Sequence, residues 1–556
     1  MKIHKKWFLF VPVAIVYVTG LFMDVMQVDA AQYAAMSLEM AETGNYLQLY
    51  YRGQDYIDKP PLIFWLSAGS FKLLGVSNFS YKLPSFLFTL LGLFATFKLG
   101  KLLYNANVGF YACLILSTTQ AWFLINHDIR TDTILAACTI VSIWQLACFT
   151  ENRKLIHLFC AALGITGAML TKGPIGLMVP ALAVGTHYVL TRNWKKFFQW
   201  EWLLLLFIVF IGLAPMLYGL YQQFDLQPGK QTYNGPIHSG LQFYFWTQSF
   251  GRITGESTWK NDADPLFFVH TFLWAFLPWC LVFVVALYKK MKLLVRQRFR
   301  LSSAHEGFTL GGIIFPGIAF SLSHYKLPHY IFVFFPLAAI LCAHLVYKLI
   351  DKQRYKKITD NLTAIHGLMA FSVWFLMVIM CTVVFPTSHL FHWIVLAASF
   401  TLILYSLFFK RNLFHRLVIP VLVSIVTANL LLNVHIYPTL LTYQAGSVAA
   451  QTVANAFPTY PFVSMSEASY SLDFYYRAAV PNLQSVQELR EHYHKQRVWI
   501  YTNEGHYQVL KKSEASILNE KKLQDYPVSR LRLRFLDPTT RNNTVANKYL
   551  LLVQVE

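Results

Sequence analysis

The side chains of this chain that could do chemistry lie in short polar breaks between long apolar runs. Asp29 follows the first apolar run, and Asp58-Lys59-Pro60-Pro61 closes the same polar break. Asp128, Arg130 and Asp132 crowd into NHDIRTDTILA, and Lys172 sits in LTKGPIG. Arg252 lies between Gly251 and Gly255, and Lys326 opens KLPHYIFVFFP, which also holds Tyr330. A carboxylate beside an incoming hydroxyl accepts its proton as the new bond forms. Ammonium and guanidinium groups neutralise charge that gathers on a phosphate. Together these residue types suit an anion site, most simply the phosphate of a lipid-linked substrate.

Each residue also has a purely structural reading. Asp29-Ala-Ala-Gln32 is a capping-box pattern, although one carboxylate oxygen can cap while the other faces a substrate. Lys172 fits a cap on the helix that ends before a Gly-Pro turn. Either Asp128 or Asp132 fits an N-cap, and Asp58 with Lys59 fits a loop ion pair of little worth. A lone Lys or Arg at a helix end usually snorkels or meets the helix dipole. Five cations in one set of loops is what lifts the anion site above these readings.

The elements that must hold these residues are membrane spans. Of 556 residues, 56% are hydrophobic and 16% aromatic, and only 13% are charged, against roughly 25% in a soluble chain. Basic Met1–Lys6 and the apolar run from Trp7 to Met23 lack a small-residue cleavage site, so they are read as an uncleaved first helix. The net charge of +20 reflects loops between spans rather than nucleic-acid binding. All seven cysteines (113, 138, 148, 160, 280, 342 and 381) fall in or beside apolar runs, which suits packing and argues against disulfides or CxxC metal sites.

A span needs about 20 mostly apolar residues, and the chain offers about thirteen. They centre near Ala14, Leu91, Leu116, Ile140, Leu163, Ala183, Phe207, Leu277, Ile314, Leu337, Trp374, Ala398 and Val423. With the N-terminus cytoplasmic, the inside loops are Lys98–Lys101, Arg153–Lys154, Arg192–Lys196, Lys289–Arg300, Lys348–Lys357 and Lys410–Arg416, all basic. Lys59, Arg130, Lys172, Arg252 and Lys326 then face outside, against that bias. The large outer segments are 24–83, 222–264 and the tail 438–556. In the first, 30–42 and 61–74 read as amphipathic helices lying in the interface, with Gly44-Asn45 as a stop. In the tail, 462–465, 498–501 and 549–555 read as strands, and 469–477 and 486–495 as helices, giving a small α/β domain.

His127, His238, His324 and His329 also face outside, but no HxxH-type spacing points to a metal cluster. A P-loop, a GxGxxG after a strand and a GxSxG are all missing, which argues against nucleotide chemistry.

The ordered set of motifs resembles the GT-C glycosyltransferases, and most closely the family joining protein O-mannosyltransferases with the lipid A aminoarabinose transferases. That pattern has an Asp after the first span, a Tyr four residues on and a Glu-Lys-Pro step, matched here by Asp29, Tyr33 and Asp58-Lys59-Pro60. Arg130-Thr131-Asp132, Lys172-Gly173-Pro174, Gly251-Arg252 before Gly255, and Lys326-Leu327-Pro328 with Tyr330 follow in family order across roughly the first 340 residues. The resemblance implies a mainly α, polytopic fold with a GT-C transmembrane catalytic domain over 1–437 and an extracytoplasmic α/β domain over 438–556. It implies inverting transfer of a sugar from a polyprenyl-phosphate donor to an outer-face acceptor in a bacterial inner membrane.

In that reading Asp29 and Asp132 are catalytic; Lys59, Arg130, Lys172, Arg252 and Lys326 bind the donor phosphate; and Tyr33, Asp58, Asp128 and Tyr330 position substrate. The acceptor is a cell-envelope glycolipid such as lipid A, with protein Ser/Thr as the alternative within the class. A transporter or flippase of lipid-linked glycans is the alternative outside it, but that would place ionisable residues at mid-membrane. The chain departs from the pattern at Ala30, where Glu is common, at Gln32, where Arg is frequent, and at Asp58 in place of Glu. These departures argue against a divalent metal in the first loop, and no cofactor follows from the residues.

Overall fold

The computed structural model describes residues 6–232, 235–256, 259–261, 263–302, 305–456, 458–513 and 515–555. It is mainly helical, a multi-pass membrane architecture with a small sheet at the C-terminal end. Among the described residues, eight helices are long and apolar enough to cross a membrane, or nine with a pair, Ala106–Ser117 and Gln120–His127, bent by 54°. Twelve of the thirteen expected centres fall on helices. Leu277 instead falls in the break between Phe267–Ala275 and Cys280–Arg296, beside Pro278. Three of the helices, at 7–20, 175–190 and 308–321, are apolar but shorter than a full span. The count of thirteen therefore mixes full-length spans with short and broken ones.

Two spans sit deepest. The Thr131–Asn152 helix has 83% of its apolar window buried and the Pro328–Ile350 segment 89%. Both begin at the end of the bundle that carries the first loop and the tail, and their first residues are those of the NHDIRTD and KLPHY motifs. Pro328 suits such a start, because its missing N–H is one that a first turn leaves unbonded anyway.

The first loop folds into two helices. Asp29–Thr43 ends at Gly44, whose φ of 72° is the left-handed conformation that terminates a helix cheaply only with glycine. A short hairpin pairs Tyr50-Tyr51 with Gln54-Asp55, and Leu62–Leu74 follows directly on Pro61. The two helices pack together through Tyr33 and Phe64, edge to face at 5.7 Å. The Asp29–Thr43 helix is buried over much of its circumference, including Ala30, Ala31, Tyr33, Ala34 and Met36, because the tail covers its outer side.

In the tail, strands β1 (Phe462–Met465), β2 (Asn482–Leu483), β3 (Arg497–Asn503), β4 (Ser516–Asp525) and β5 (Ala546–Gln554) form one sheet in the order β2-β1-β3-β5-β4. The β1 pairings are parallel, and β3-β5 and β5-β4 are antiparallel. Side chains alternate between faces, as the two-residue strand period requires. Val498 and Ile500 join Leu489 and Leu510 on one side, while Trp499 and Tyr501 join Ala449 and Leu472 on the other.

The tail is clasped onto the first loop. Arg52 donates to Asp473 through Nε and Nη2 at 2.7 and 2.6 Å, a two-pronged pair, and the Tyr51 hydroxyl donates to the same carboxylate at 2.7 Å. Phe474 packs between Phe71 and Tyr81.

Candidate active site

Four carboxylate-cation pairs, two of them sharing Arg130, meet at the tail-bearing end of the bundle. Asp58 pairs with Lys59 at 2.5 Å, and Gln248 bonds the Asp58 backbone carbonyl. Arg130 bridges two acids, reaching Asp29 at 2.5 Å and Asp128 at 2.7 Å. Lys172 pairs with Asp132 at 2.6 Å and lies over the Tyr330 ring, 4.5 Å from its centroid. Arg252 links the sets, donating to the Tyr330 hydroxyl at 2.7 Å with Nη2 4.0 Å from Asp58.

The local sequence explains these placements, and it overturns the capping readings. Asp29 is the first residue of its helix, Val28 is the N-cap, and no side chain caps that end. The Asp29 carboxylate is therefore free to meet Arg130. Gln32, the other half of the expected capping box, donates to Tyr470 of the tail at 3.1 Å. Neither Asp128 nor Asp132 caps the helix that begins at Thr131, whose N-cap Arg130 makes no side-chain cap bond. Gly173, at a φ of 77°, makes the turn after Lys172, and the Gly173 N–H bonds the Met169 carbonyl. The turn closes itself, so the Lys172 ammonium goes to Asp132 rather than to helix carbonyls.

Lys326 stands apart from the other cations. Its ammonium donates to the carbonyls of Ala263 and Asp264 at 3.2 Å each, tying the second large loop to the start of the Pro328–Ile350 segment. The structure thus brings Asp29, Asp58, Lys59, Asp128, Arg130, Asp132, Lys172, Arg252 and Tyr330 into one network and leaves Lys326 beside it. Tyr33 lies within the field of the network. Burial, and then Asp29 and Asp58, hold its hydroxyl well above the ordinary phenol range, so it stays a neutral donor.

Electrostatics separate the acids. The half-buried Asp58 carboxyl would rise by desolvation, but Lys59, Arg252 and Gln248 outweigh this and hold it below the ordinary range. Asp128 goes the other way: burial raises it more than Arg130 lowers it, and the like charge of Asp29 adds to the rise. The Arg130 guanidinium loses solvation too, yet its two acids raise it further into the charged state. Asp29 is the most open of the paired acids, with 41% of its side chain exposed against 1% for Asp132.

The network is also incomplete. Among the described residues, buried Asp128 Oδ1, Asp132 Oδ2, Arg252 Nε and the Tyr56 hydroxyl have no hydrogen-bond partner. Unmet polar atoms this close together are costly unless something else fills them. A cleft lined by Tyr56, Lys59, Pro60, Met216, Leu220 and Tyr244 opens beside Lys59, apolar on the side that faces the spans.

Sequence reasoning gave little weight to four residues that belong here. His329, weighed only as a metal ligand, has Nε2 3.8 Å from Asp132 Oδ2. Tyr325 places its ring 5.5 Å from the Arg252 guanidinium carbon. Gln248 and Tyr56 carried no signal beyond lying near Asp58 in space. Among the described residues, no group of three or more His, Cys, Asp or Glu side chains is arranged to hold a metal ion.

A partly exposed acid, next to a cluster of cations in which Arg252 Nε is unmet and beside an apolar cleft, can hold a hydroxyl and a lipid phosphate on adjacent sides. That arrangement sits on a multi-pass bundle. Residues 58–218 match the dolichyl-phosphate-mannose-protein mannosyltransferase family. The undecaprenyl phosphate-alpha-4-amino-4-deoxy-L-arabinose arabinosyl transferase of Edwardsiella ictaluri is 26% identical over 363 residues, 63% of this chain and 61% of the relative. The Proteus mirabilis relative described as arabinosyl transferase 2 is 24% identical over 324 residues, 57% of this chain and 55% of its own. The matched stretches therefore span less than two thirds of these relatives. The crystal structure of ArnT from Cupriavidus metallidurans bound to undecaprenyl phosphate superposes with a TM-score of 0.73 at 16% identity, covering 100% of this chain and 99% of that one. Over part of its length the chain is thus similar in sequence to both the protein mannosyltransferases and the aminoarabinose transferases, and it shares the fold of the solved ArnT structure.

Proposed function

We propose that this chain transfers a sugar from a polyprenyl-phosphate donor to the hydroxyl or phosphate oxygen of a cell-envelope glycolipid such as lipid A. The reaction takes place at the outer face of a bacterial inner membrane, with a cytoplasmic N-terminus. The acceptor oxygen attacks the anomeric carbon from the side opposite the phosphate, so the configuration inverts. The bond from that carbon to the phosphate oxygen breaks, and the electron pair stays on the departing polyprenyl phosphate. Asp29 takes the proton of a hydroxyl acceptor; an acceptor phosphate, already ionised, needs only to be held. Lys59, Lys172 and Arg252 neutralise the leaving phosphate, Arg130 orients Asp29 and Asp128, and Asp132 holds Lys172. Lys326 acts indirectly, by fixing the second large loop. Residues 1–437 form the catalytic bundle and 438–556 a module that closes over it.

The observation that carries this reading is the partly exposed Asp29 carboxylate set among cations, of which Arg252 has an Nε donor without a hydrogen-bond partner. The names of the relatives support the polyprenyl phosphate and the pentose-type sugar. The test supplies purified protein in lipid nanodiscs with radiolabelled polyprenyl-phosphate sugars and a glycolipid acceptor, comparing wild type with Asp29→Asn. Transfer by the wild type and its loss in the variant support the reading. Undiminished transfer by Asp29→Asn removes Asp29 from the mechanism, and vectorial movement of donor without transfer replaces the transferase with a flippase.

A further inference from the structure

The tail carries a feature that the catalytic network does not use. Residues 527–535 read PVSRLRLRF, with three arginines and no acid. Arg530, Arg532 and Arg534 are exposed, as are Leu531 at 46% and Leu533 at 85%. Basic and large apolar side chains thus alternate on an open surface, where a water-facing turn would be expected to be polar throughout.

The turn is built and held. Tyr526 stacks on Phe535 with ring centroids 3.8 Å apart, and its hydroxyl donates to the Arg530 carbonyl at 3.0 Å and accepts from the Arg532 N–H at 3.1 Å. Arg541 lies over Phe535 and Phe385 and donates to the Val384 carbonyl, fixing the turn to the end of the Lys356–Val384 span. The turn therefore stands at the level where a span leaves the membrane.

It also stands beside the site. Tyr526, Val528 and Phe535 share one apolar cluster with Met26, three residues before Asp29. Arg530 is close enough to Tyr325 to lower its hydroxyl pKa, against the burial that raises it, and Tyr325 in turn faces Arg252. Leucines that enter a leaflet, alternating with guanidiniums at headgroup level, suit a lipid with a phosphorylated head.

We propose that the 527–535 turn is an acceptor-binding element that seats the phosphate-bearing headgroup of the acceptor glycolipid beside Asp29. This rests on the glycolipid reading above and deepens it: the tail helps to select the acceptor.

The test uses full-length protein in nanodiscs, comparing wild type with the triple variant Arg530→Gln/Arg532→Gln/Arg534→Gln and with Leu531→Ser/Leu533→Ser. Binding of a synthetic bisphosphorylated glycolipid, of its dephosphorylated form, and of polyprenyl phosphate is measured directly, together with transfer. Losing three arginines at headgroup level should weaken binding of the bisphosphorylated acceptor by about tenfold or more. KM for that acceptor should rise to match, with kcat, thermal unfolding and polyprenyl-phosphate binding unchanged. Equal binding of the bisphosphorylated acceptor by wild type and triple variant overturns the proposal. So does an equal loss for the dephosphorylated form, or a matching loss of binding to phosphatidylglycerol vesicles, which would make the turn a general membrane contact. Wild type that binds the bisphosphorylated acceptor through these arginines but transfers nothing to it refutes the transferase reading and leaves the binding element standing.

Discussion

The two ends of the bundle each bury an acid against a lysine, and they differ in what is left over. Away from the tail, Lys290 and Glu306 pair at 2.7 Å with both side chains almost fully covered. Glu306 is saturated: Lys290, the Tyr104 hydroxyl, and the Thr309 N–H and hydroxyl all donate to it. Burial alone would raise its carboxyl, but those donors bring it down to about 2. At the tail-bearing end, Lys172 satisfies one oxygen of Asp132 while the other has no hydrogen-bond partner among the described residues, and Asp128 is pushed up rather than down. A closed pair holds a fold together, whereas an open one holds a place for something else.

The comparison breaks most sharply if Asp29→Asn retains activity. Removing this proposed base should lower transfer about 10²–10⁴-fold, read as initial rate of label transfer, with little change in thermal unfolding. Next come the two lysine pairs. Lys172→Met should cost about 10²–10³-fold in kcat. Glu306→Ala should instead cost about 3–5 kcal/mol of stability by stranding Lys290, with transfer per folded molecule kept. Replacing both members of a pair by leucine sharpens the contrast: Lys290→Leu/Glu306→Leu should stay active and nearly as stable, and Lys172→Leu/Asp132→Leu should fold but transfer nothing. A smaller effect belongs to the clasp: Arg52→Ala should loosen the tail by about 1.5–3 kcal/mol, read by limited proteolysis of residues 438–556.

The smallest effect is the pH dependence of thermal unfolding, where the two loop acids should oppose each other. Asp58 is depressed in the fold, so its stabilisation is complete above the ordinary carboxylate value of about 4 and is lost as pH falls through its folded value. Asp128 is raised, so its ionised form costs stability above its folded value, and that cost disappears below about 4. Asp58→Asn should flatten the acid-side fall in Tm, and Asp128→Asn should steepen the net fall.

Much of the site was legible in the sequence because charge is rare in this chain. Asp29, Arg130 and Lys172 stood out against apolar surroundings and loop bias, and the structure brings them together. Whether each capped a helix was not legible, because that depends on which residue takes the N-cap, and Val28 and Arg130 hold those positions without side-chain bonds. Lys326 looked like its fellow cations, since nothing in its own segment announces the carbonyls of Ala263 and Asp264. In the tail, β1, β3 and β5 read as strands, but β4 is an exposed edge strand, SILNEKKLQD, whose composition reads as loop. Asp473 carries no motif, and its partner Arg52 lies 421 residues earlier, beyond any local pattern.

That separation has a consequence in time. Translation at about 5–20 residues per second puts roughly 20–80 s between the emergence of Arg52 and that of its partner. Through that interval the Asp29 helix lies without the cover of the tail. The clasp therefore forms only late in synthesis: a chain cut short before Asp473 would keep the first loop and lack the carboxylate that Arg52 and Tyr51 hold.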